Sequence, residues 1–383
     1  MIKRAITSEF HQLCREFPVV TILGPRQAGK TTLAKVELPS YDYSNLEDPE
    51  TRALASEDPK AYLAQFKGKL IIDEIQRVPH LLSYIQVIID QNKIMGQYVL
   101  TGSHQLELKA AISQSLAGRT AIIKLLPFSI SELEAAGIAY ESFEEYSLKG
   151  FLPQVYDRSI RPYVAYSNYY QTYVERDVRQ LIKLKDQGLF EKFMKLLAGR
   201  AGQIMDYSSL ANDLGVSQKT IKDWLSILEA SFIIYKLPPY YNNFGKRAIK
   251  SSKYYFIELG LLCFLLGIKN RNHLQRDPLV GSIFENLVVL EFLKYQLNQG
   301  SMDQAYFFRD SNGNEVDLLI NINDFDWQIE VKSASTYASK QLKSLVKMRT
   351  LMDAKSLLVY NGDSMDLSDN YYLRNFKELT ELV

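Results

Sequence analysis

Residues 18–33, PVVTILGPRQAGKTTL, decide how the first part of this chain folds. Val19 to Leu23 is rich in β-branched residues and reads as a strand, and Thr31 and Thr32 open a helix. Between them, Gly24-Pro25-Arg26-Gln27-Ala28-Gly29-Lys30-Thr31 spells G-x-x-x-x-G-K-S/T in the strand-then-helix context that a phosphate-binding loop needs. The backbone N–H groups of such a loop, with the positive end of the following helix dipole, form a concave anion site. Gly29 lets the backbone approach the phosphate closely, Lys30 reaches the β- and γ-phosphates, and Thr31 offers its hydroxyl to Mg2+. Residues 24–32 are therefore expected to hold ATP.

Working outward, Ile2, Ile6, Phe10, Leu13 and Phe17 recur at helical spacing and predict an amphipathic helix over 2–16 that packs on a sheet. Ser40 to Leu46 reads as an edge segment, and LEDPETR as a turn into a helix with Glu50 in its first turn. Leu70 to Ile72 is a buried strand ending at Asp73-Glu74. Two carboxylates at that strand end suit a hydrolytic nucleotide site, Asp73 holding Mg2+ through water and Glu74 polarising the attacking water. Tyr98 to Leu100 is the next strand, followed by Thr101-Gly102-Ser103-His104. Ser103 is placed either to sense the γ-phosphate or simply to end the strand in a turn. A helix to Ala117, then Gly118-Arg119 and a strand from Ala121 to Leu126, completes five strands joined by helical segments. That alternation implies a parallel α/β sheet with its ligand at the carboxyl ends of the strands.

Here the residues resemble a family. GPRQAGKTTL, LEDPETR, LIIDEIQRVP, VLTGSH, SLAGRT and LPFSISEL, in this order, are similar to AAA+-superfamily P-loop ATPases of bacteria and archaea that carry a winged helix and a nuclease-like C-terminal domain of unassigned function. The resemblance implies an ATPase core with an extra strand between its two phosphate motifs. It places Arg119 where an arginine finger completes a neighbour's site in a homo-oligomer, the alternative being an Arg held within its own subunit.

The chain has 383 residues and a mass of 44.0 kDa, which implies two or three domains. A net charge of +1 excludes a global pull towards nucleic acid or membrane, so any such affinity must be local. Cys14 and Cys263 lie far apart and lack metal-ligand spacing, which fits a reducing cytoplasm. No apolar leader follows Lys3 and Arg4, and the longest apolar stretch, Leu259 to Ile268, is too short to span a bilayer. The expectation is a soluble cytoplasmic protein with no membrane partner.

Beyond the core the expected divisions are 1–138 for the ATPase, 139–187 for a helical connection, 188–278 for a winged helix-turn-helix and 279–383 for a small α/β nuclease-like domain. In the connection, YYQTYVERDVRQLIKL from Tyr169 to Leu184 reads as one long amphipathic helix. In the third division, helices Leu189 to Ala198 and Ser208 to Leu214 precede a Gly215-Val216 turn and a helix capped by Ser217. The apolar face of that last helix is Ile221, Leu225 and Leu228, leaving Lys219 and Lys222 outside. Lys236, Lys246, Arg247, Lys250 and Lys253 follow among Tyr240, Tyr241 and Phe244, a pattern suited to nucleic acid or to a protein partner.

In the last division, helix Gly281 to Leu297 carries Glu285, a strand carries Asp317, and Trp327 to Lys332 places Glu330 and Lys332 on one strand face. This order resembles the PD-(D/E)-x-K nuclease fold, with Val316 in place of the usual Pro. Glu285, Asp317 and Glu330 would bind Mg2+, and Lys332 would stabilise charge at phosphorus. The leading function is an ATP-hydrolysing, nucleic-acid-associated protein with a metal-dependent nuclease domain. The alternatives are an ATP-dependent switch or scaffold for protein partners, its C-terminal fold retained without catalysis, and a small-molecule kinase.

Overall fold

The computed structural model describes residues 1–103, 112, 114–240, 251–301, 303–310, 312–350, 352–368 and 370–379. His104, Tyr241, Phe244, Lys246, Arg247 and Lys250, singled out above, lie outside the described residues. The chain divides into two compact units. One comprises Met1–Phe128 with Ala230–Phe232 and Leu297–Gly300, and the other the remainder.

In the first unit, β1 (Val19–Leu23), β2 (Asp42–Asn45), β3 (Leu70–Asp73), β4 (Tyr98–Gly102) and β5 (Thr120–Lys124) form one sheet in the order β2-β3-β4-β1-β5. Every pairing is parallel. All residues of β1, β3 and β4 are buried, as a sheet covered on both faces requires. α1 (Thr7–Glu16) begins later than the periodicity predicts, with Ile6 at its N-cap, but it delivers the expected stripe. Ile6, Phe10 and Cys14 pack with Val20, Ile22, Leu33, Val99 and Ile123. α2 (Lys30–Glu37) starts at Gly29, whose φ of 90° is open to glycine at no steric cost. α3 (Pro49–Glu57) is capped by Asp48, which accepts a hydrogen bond from the Thr51 N–H, and α4 (Pro59–Ala64) and α5 (Leu81–Asn92) follow. Because β1 and β3 run parallel in adjacent registers of β4, the loop after Leu23, Asp73 and Ser103 emerge at the same edge of the sheet.

The second unit opens with short helices and then departs from the sequence expectation. Residues 170–178, Tyr170–Val178, wind as a π-helix rather than an α-helix, with Tyr170, Tyr173, Val174 and Val178 turned inward, before a short α-turn Arg179–Ile182. Helices Gln187–Ala198, Tyr207–Leu214 and Gln218–Ala230 follow. Gly215, at φ 68°, closes the second of these, and the Ser217 hydroxyl accepts the Thr220 N–H at 3.0 Å to begin the third. Ile221, Leu225 and Leu228 are buried, and Lys219 and Lys222 are exposed. An antiparallel pair, β6 (Ile234–Leu237) and β7 (Lys253–Phe256), comes next.

The last part is a six-stranded mixed sheet flanked by the helix Val280–Asn298 in sequence. Its strands are β8 (Tyr306–Arg309), β9 (Glu315–Ile322), β10 (Phe325–Lys332), β11 (Lys355–Tyr360), β12 (Met365–Ser368) and β13 (Tyr371–Asn375), in the order β12-β13-β11-β10-β9-β8. β8, β9 and β10 were legible as strands; β11 to β13 were not singled out. β10 and β11 run parallel, and so do β11 and β13, so this is a small α/β arrangement rather than a meander. Among the described residues no helix is long and apolar enough to cross a membrane. Both cysteines are buried free thiols, and burial pushes Cys14 up to about 11 and Cys263 up to about 12.

Candidate functional site

The phosphate loop gathers most of the residues singled out from sequence. Gln27 at φ 65° and Gly29 at φ 90° curl the backbone between β1 and α2. The Lys30 ammonium is buried and donates to the Gly24 carbonyl at 2.9 Å and the Pro25 carbonyl at 2.8 Å. Burial pulls its pKa down to about 8, against the opposing pull of Glu74 and Asp73. The Thr31 hydroxyl lies 2.9 Å from both carboxylate oxygens of Asp73, 42 residues away in sequence. Tyr43 donates to the same carboxylate at 3.0 Å, and Thr101 donates to it as well.

Glu74 follows β3 in the left-handed region, at φ 57° and ψ 45°. The three-residue 3-10 turn Ile75–Arg77 then brings Gln76 back beside it, so that the Gln76 amide donates to the Glu74 carboxylate and, at 3.1 Å, to the Ser103 hydroxyl. Ser103 itself donates to Glu74 at 3.3 Å. Ser103 therefore lies beside Glu74, and Gln76 joins them although no sequence signal marked it. Arg26 sits 3.7 Å from Glu47 at the loop's margin, Ala28 is buried within the loop, and Thr32 is exposed on the first turn of α2. Arg119 lies apart from this group and grips Asp90 of its own chain with Nε at 2.6 Å and Nη2 at 3.0 Å.

The residues here fit a magnesium ion held together with a nucleotide. Mg2+ takes hard oxygen donors, keeps several waters and needs only one or two protein ligands beside the phosphates, which the Asp73 carboxylate and Thr31 hydroxyl can supply. They do not form a self-sufficient ion cage: among the described residues no group of three or more His, Cys, Asp or Glu is arranged to hold a metal.

The C-terminal residues also converge, but in a different company from the one expected. Lys332 donates to Glu330 at 2.6 Å and lies 3.7 Å from Asp317, whose carboxylate also accepts the Val331 N–H at 2.9 Å. Glu285 accepts from the Tyr255 hydroxyl at 2.7 Å and from Lys253 at 2.9 Å. Lys253 belongs to the basic segment read above as suited to nucleic acid or a protein partner, and its position removes it from any such surface. It is only 2% exposed and places its ammonium 2.6 Å from Glu315 and 3.5 Å from Asp317 as well. Burial raises the pKa of both Glu285 and Glu330, with the Asp317 carboxylate adding to the effect on each. Ammonium groups thus alternate with the carboxylates in the order Glu285, Lys253, Asp317, Lys332, Glu330. Each of the expected ligands Glu285, Asp317 and Glu330 thus has an ammonium beside it, and among the described residues no three such side chains are grouped to hold a metal by themselves.

Three stretches match known domain families: residues 16–134 an AAA domain, residues 140–272 a domain of unknown function (DUF8612) and residues 280–379 a domain of unknown function (DUF4143). The five-stranded parallel sheet with its phosphate loop is accordingly a P-loop NTPase core. Similar proteins include the "Uncharacterized protein Rv2008c" of Mycobacterium tuberculosis, 30% identical over 367 residues that cover 94% of this chain and 80% of that one. A Haemophilus influenzae protein is 26% identical over 319 residues, covering 74% of this chain and 77% of its own. Among solved structures, the Walker-type ATPase PABY2304 of Pyrococcus abyssi aligns with 69% of this chain and 96% of its own at 14% identity and a TM-score of 0.45.

Proposed function

We propose that this chain, which belongs to the same family as the Mycobacterium tuberculosis protein Rv2008c and carries an AAA domain, is an ATP-hydrolysing switch. The observation that carries this reading is the Thr31–Asp73 pair, 2.9 Å apart, with Glu74 next in sequence and the phosphate loop beside it. Loop N–H groups cradle the β-phosphate, and Lys30 turns from the Gly24 and Pro25 carbonyls to the γ-phosphate. Bound Mg2+ neutralises the charge that develops on the phosphate oxygens. Glu74 orients a water and takes its proton as the water oxygen attacks the γ-phosphorus, and the bond to the β–γ bridging oxygen breaks with its electrons leaving on ADP. Ser103 stands where it can report the γ-phosphate to Glu74.

Phosphate release from ATP is the test. Lys30→Ala is expected to lose nucleotide binding, and Glu74→Gln to keep it while turnover falls by about 100- to 10,000-fold. Turnover that survives both substitutions overturns the reading, and turnover that requires a soluble acceptor replaces it with a kinase. If Arg119 releases Asp90 to complete a neighbour's site, activity per chain rises with protein concentration and Arg119→Ala abolishes that rise.

A second reading concerns the partner. Three consecutive helices, then the β6–β7 pair, with Lys219 and Lys222 exposed on the third helix, support a winged helix that meets nucleic acid phosphates. Binding of duplex DNA or RNA that weakens steeply with salt, with a shallower slope in Lys219→Ala/Lys222→Ala, supports it. Binding indifferent to both salt and substitution favours a protein partner.

A further inference from the structure

The carboxylates that a nuclease-like reading would give to a metal are already supplied with a cation by the chain itself. We propose that the Lys253 ammonium is the resident counter-ion of the Glu285–Glu315–Asp317 cluster, standing where a divalent ion would otherwise sit, and that the cluster is a metal-free joint rather than a phosphodiester-cleaving centre.

Three observations carry this. The first is position: Nζ of Lys253 lies 2.9 Å from Glu285, 2.6 Å from Glu315 and 3.5 Å from Asp317, so it stands between two of the three expected metal ligands, Glu285 and Asp317. A magnesium or manganese ion binds such oxygens at about 2.0–2.2 Å, so ion and ammonium would overlap and repel. The second is that the backbone carrying Lys253 is held in place on β7. Its backbone pairs with Leu237 across the β6–β7 ladder and bridges Ile204. Three residues on, Asn286 clamps Phe256 through both backbone groups, at 2.8 and 2.9 Å. Tyr255 between them donates to Glu285. An ammonium buried this deeply is costly without partners, so with β7 in place its withdrawal from the carboxylates is strongly disfavoured. The third is the remaining charge. Arg309 bonds Glu315 at 3.0 Å and Lys332 bonds Glu330 at 2.6 Å, so the neighbouring carboxylates also have cations of their own.

This inference does not depend on ATP hydrolysis, and its test is made without nucleotide so that the two stand or fall separately. Mn2+ uptake by the full chain is measured by electron paramagnetic resonance for the wild type, Asp317→Asn, Lys253→Ala and Lys253→Ala/Asp317→Asn. The wild type and Asp317→Asn are expected to take up the same amount. Lys253→Ala is expected to gain one equivalent, which the added Asp317→Asn removes. Uptake by the wild type that Asp317→Asn abolishes overturns the proposal, and so does a folded Lys253→Ala protein that gains nothing. Should Lys253→Ala fail to fold by circular dichroism, the wild type against Asp317→Asn decides alone, equal uptake supporting the proposal and Asp317-dependent uptake overturning it.

Discussion

At the scale of single residues, Glu74 holds its carboxylate on a left-handed backbone, a conformation that costs an ordinary residue about 1–2 kcal/mol. That cost is sustained where Gln76 and Ser103 both donate to the side chain, which makes Gln76 a positioning residue for the water-activating group. Gln76→Ala is expected to lower kcat for ATP by up to about 100-fold with little change in KM, because the carboxylate remains but its aim is lost. Steady-state phosphate release measures the split, and a rise in KM with kcat unchanged would show that Gln76 serves binding instead. Asp73 and Glu74 were legible because an aliphatic strand ending in two acids is a local pattern. Gln76 was not, since its place beside Glu74 depends on a 3-10 turn that the residues Ile75–Arg77 do not advertise.

At the scale of elements, the phosphate loop is fixed as much by its neighbour strand as by its own glycines. A side chain at Gly24 would run into the backbone carbonyl of Leu125, just past β5, which no substitution elsewhere can move cheaply. Gly24→Ala is expected to destabilise the first unit by about 1–3 kcal/mol, the usual cost of overpacking, and to weaken nucleotide binding with it. Denaturant unfolding with and without ATP reads both effects, and an unchanged midpoint would show that the loop relaxes freely. The five strands of this unit and its helices α1 to α3 were legible because their hydrophobic periods and turn residues are strong; α4 and α5 were not located from sequence. The π-winding of Tyr170–Val178 was not, since an apolar stripe fits the tighter and the wider helix almost equally. Lys253 misled for a related reason. A lysine at the start of a strand reads as a wet edge, and its carboxylate partners begin 32 residues later in another element.

At the scale of the whole molecule, the family matches end and begin between residues 272 and 280, yet the second compact unit runs through that seam. Lys253 lies before the seam and Glu285, Glu315 and Asp317 after it. Residues 280–379 expressed alone are therefore expected to lack a sharp thermal transition, because close carboxylates are left to repel one another without their ammonium. A piece spanning 140–379 should melt cooperatively. Calorimetry of the two decides, and equal, sharp transitions would show that the ion pairs contribute little.

The same ammonium bears on how this chain can be divided. A domain that recombines freely must carry its own electrostatic balance, and the stretch after residue 280 draws part of its balance from the stretch before it. In this chain the two matched stretches are thus electrostatically one unit: separating them would strand a positive charge in one piece and an excess of negative charge in the other.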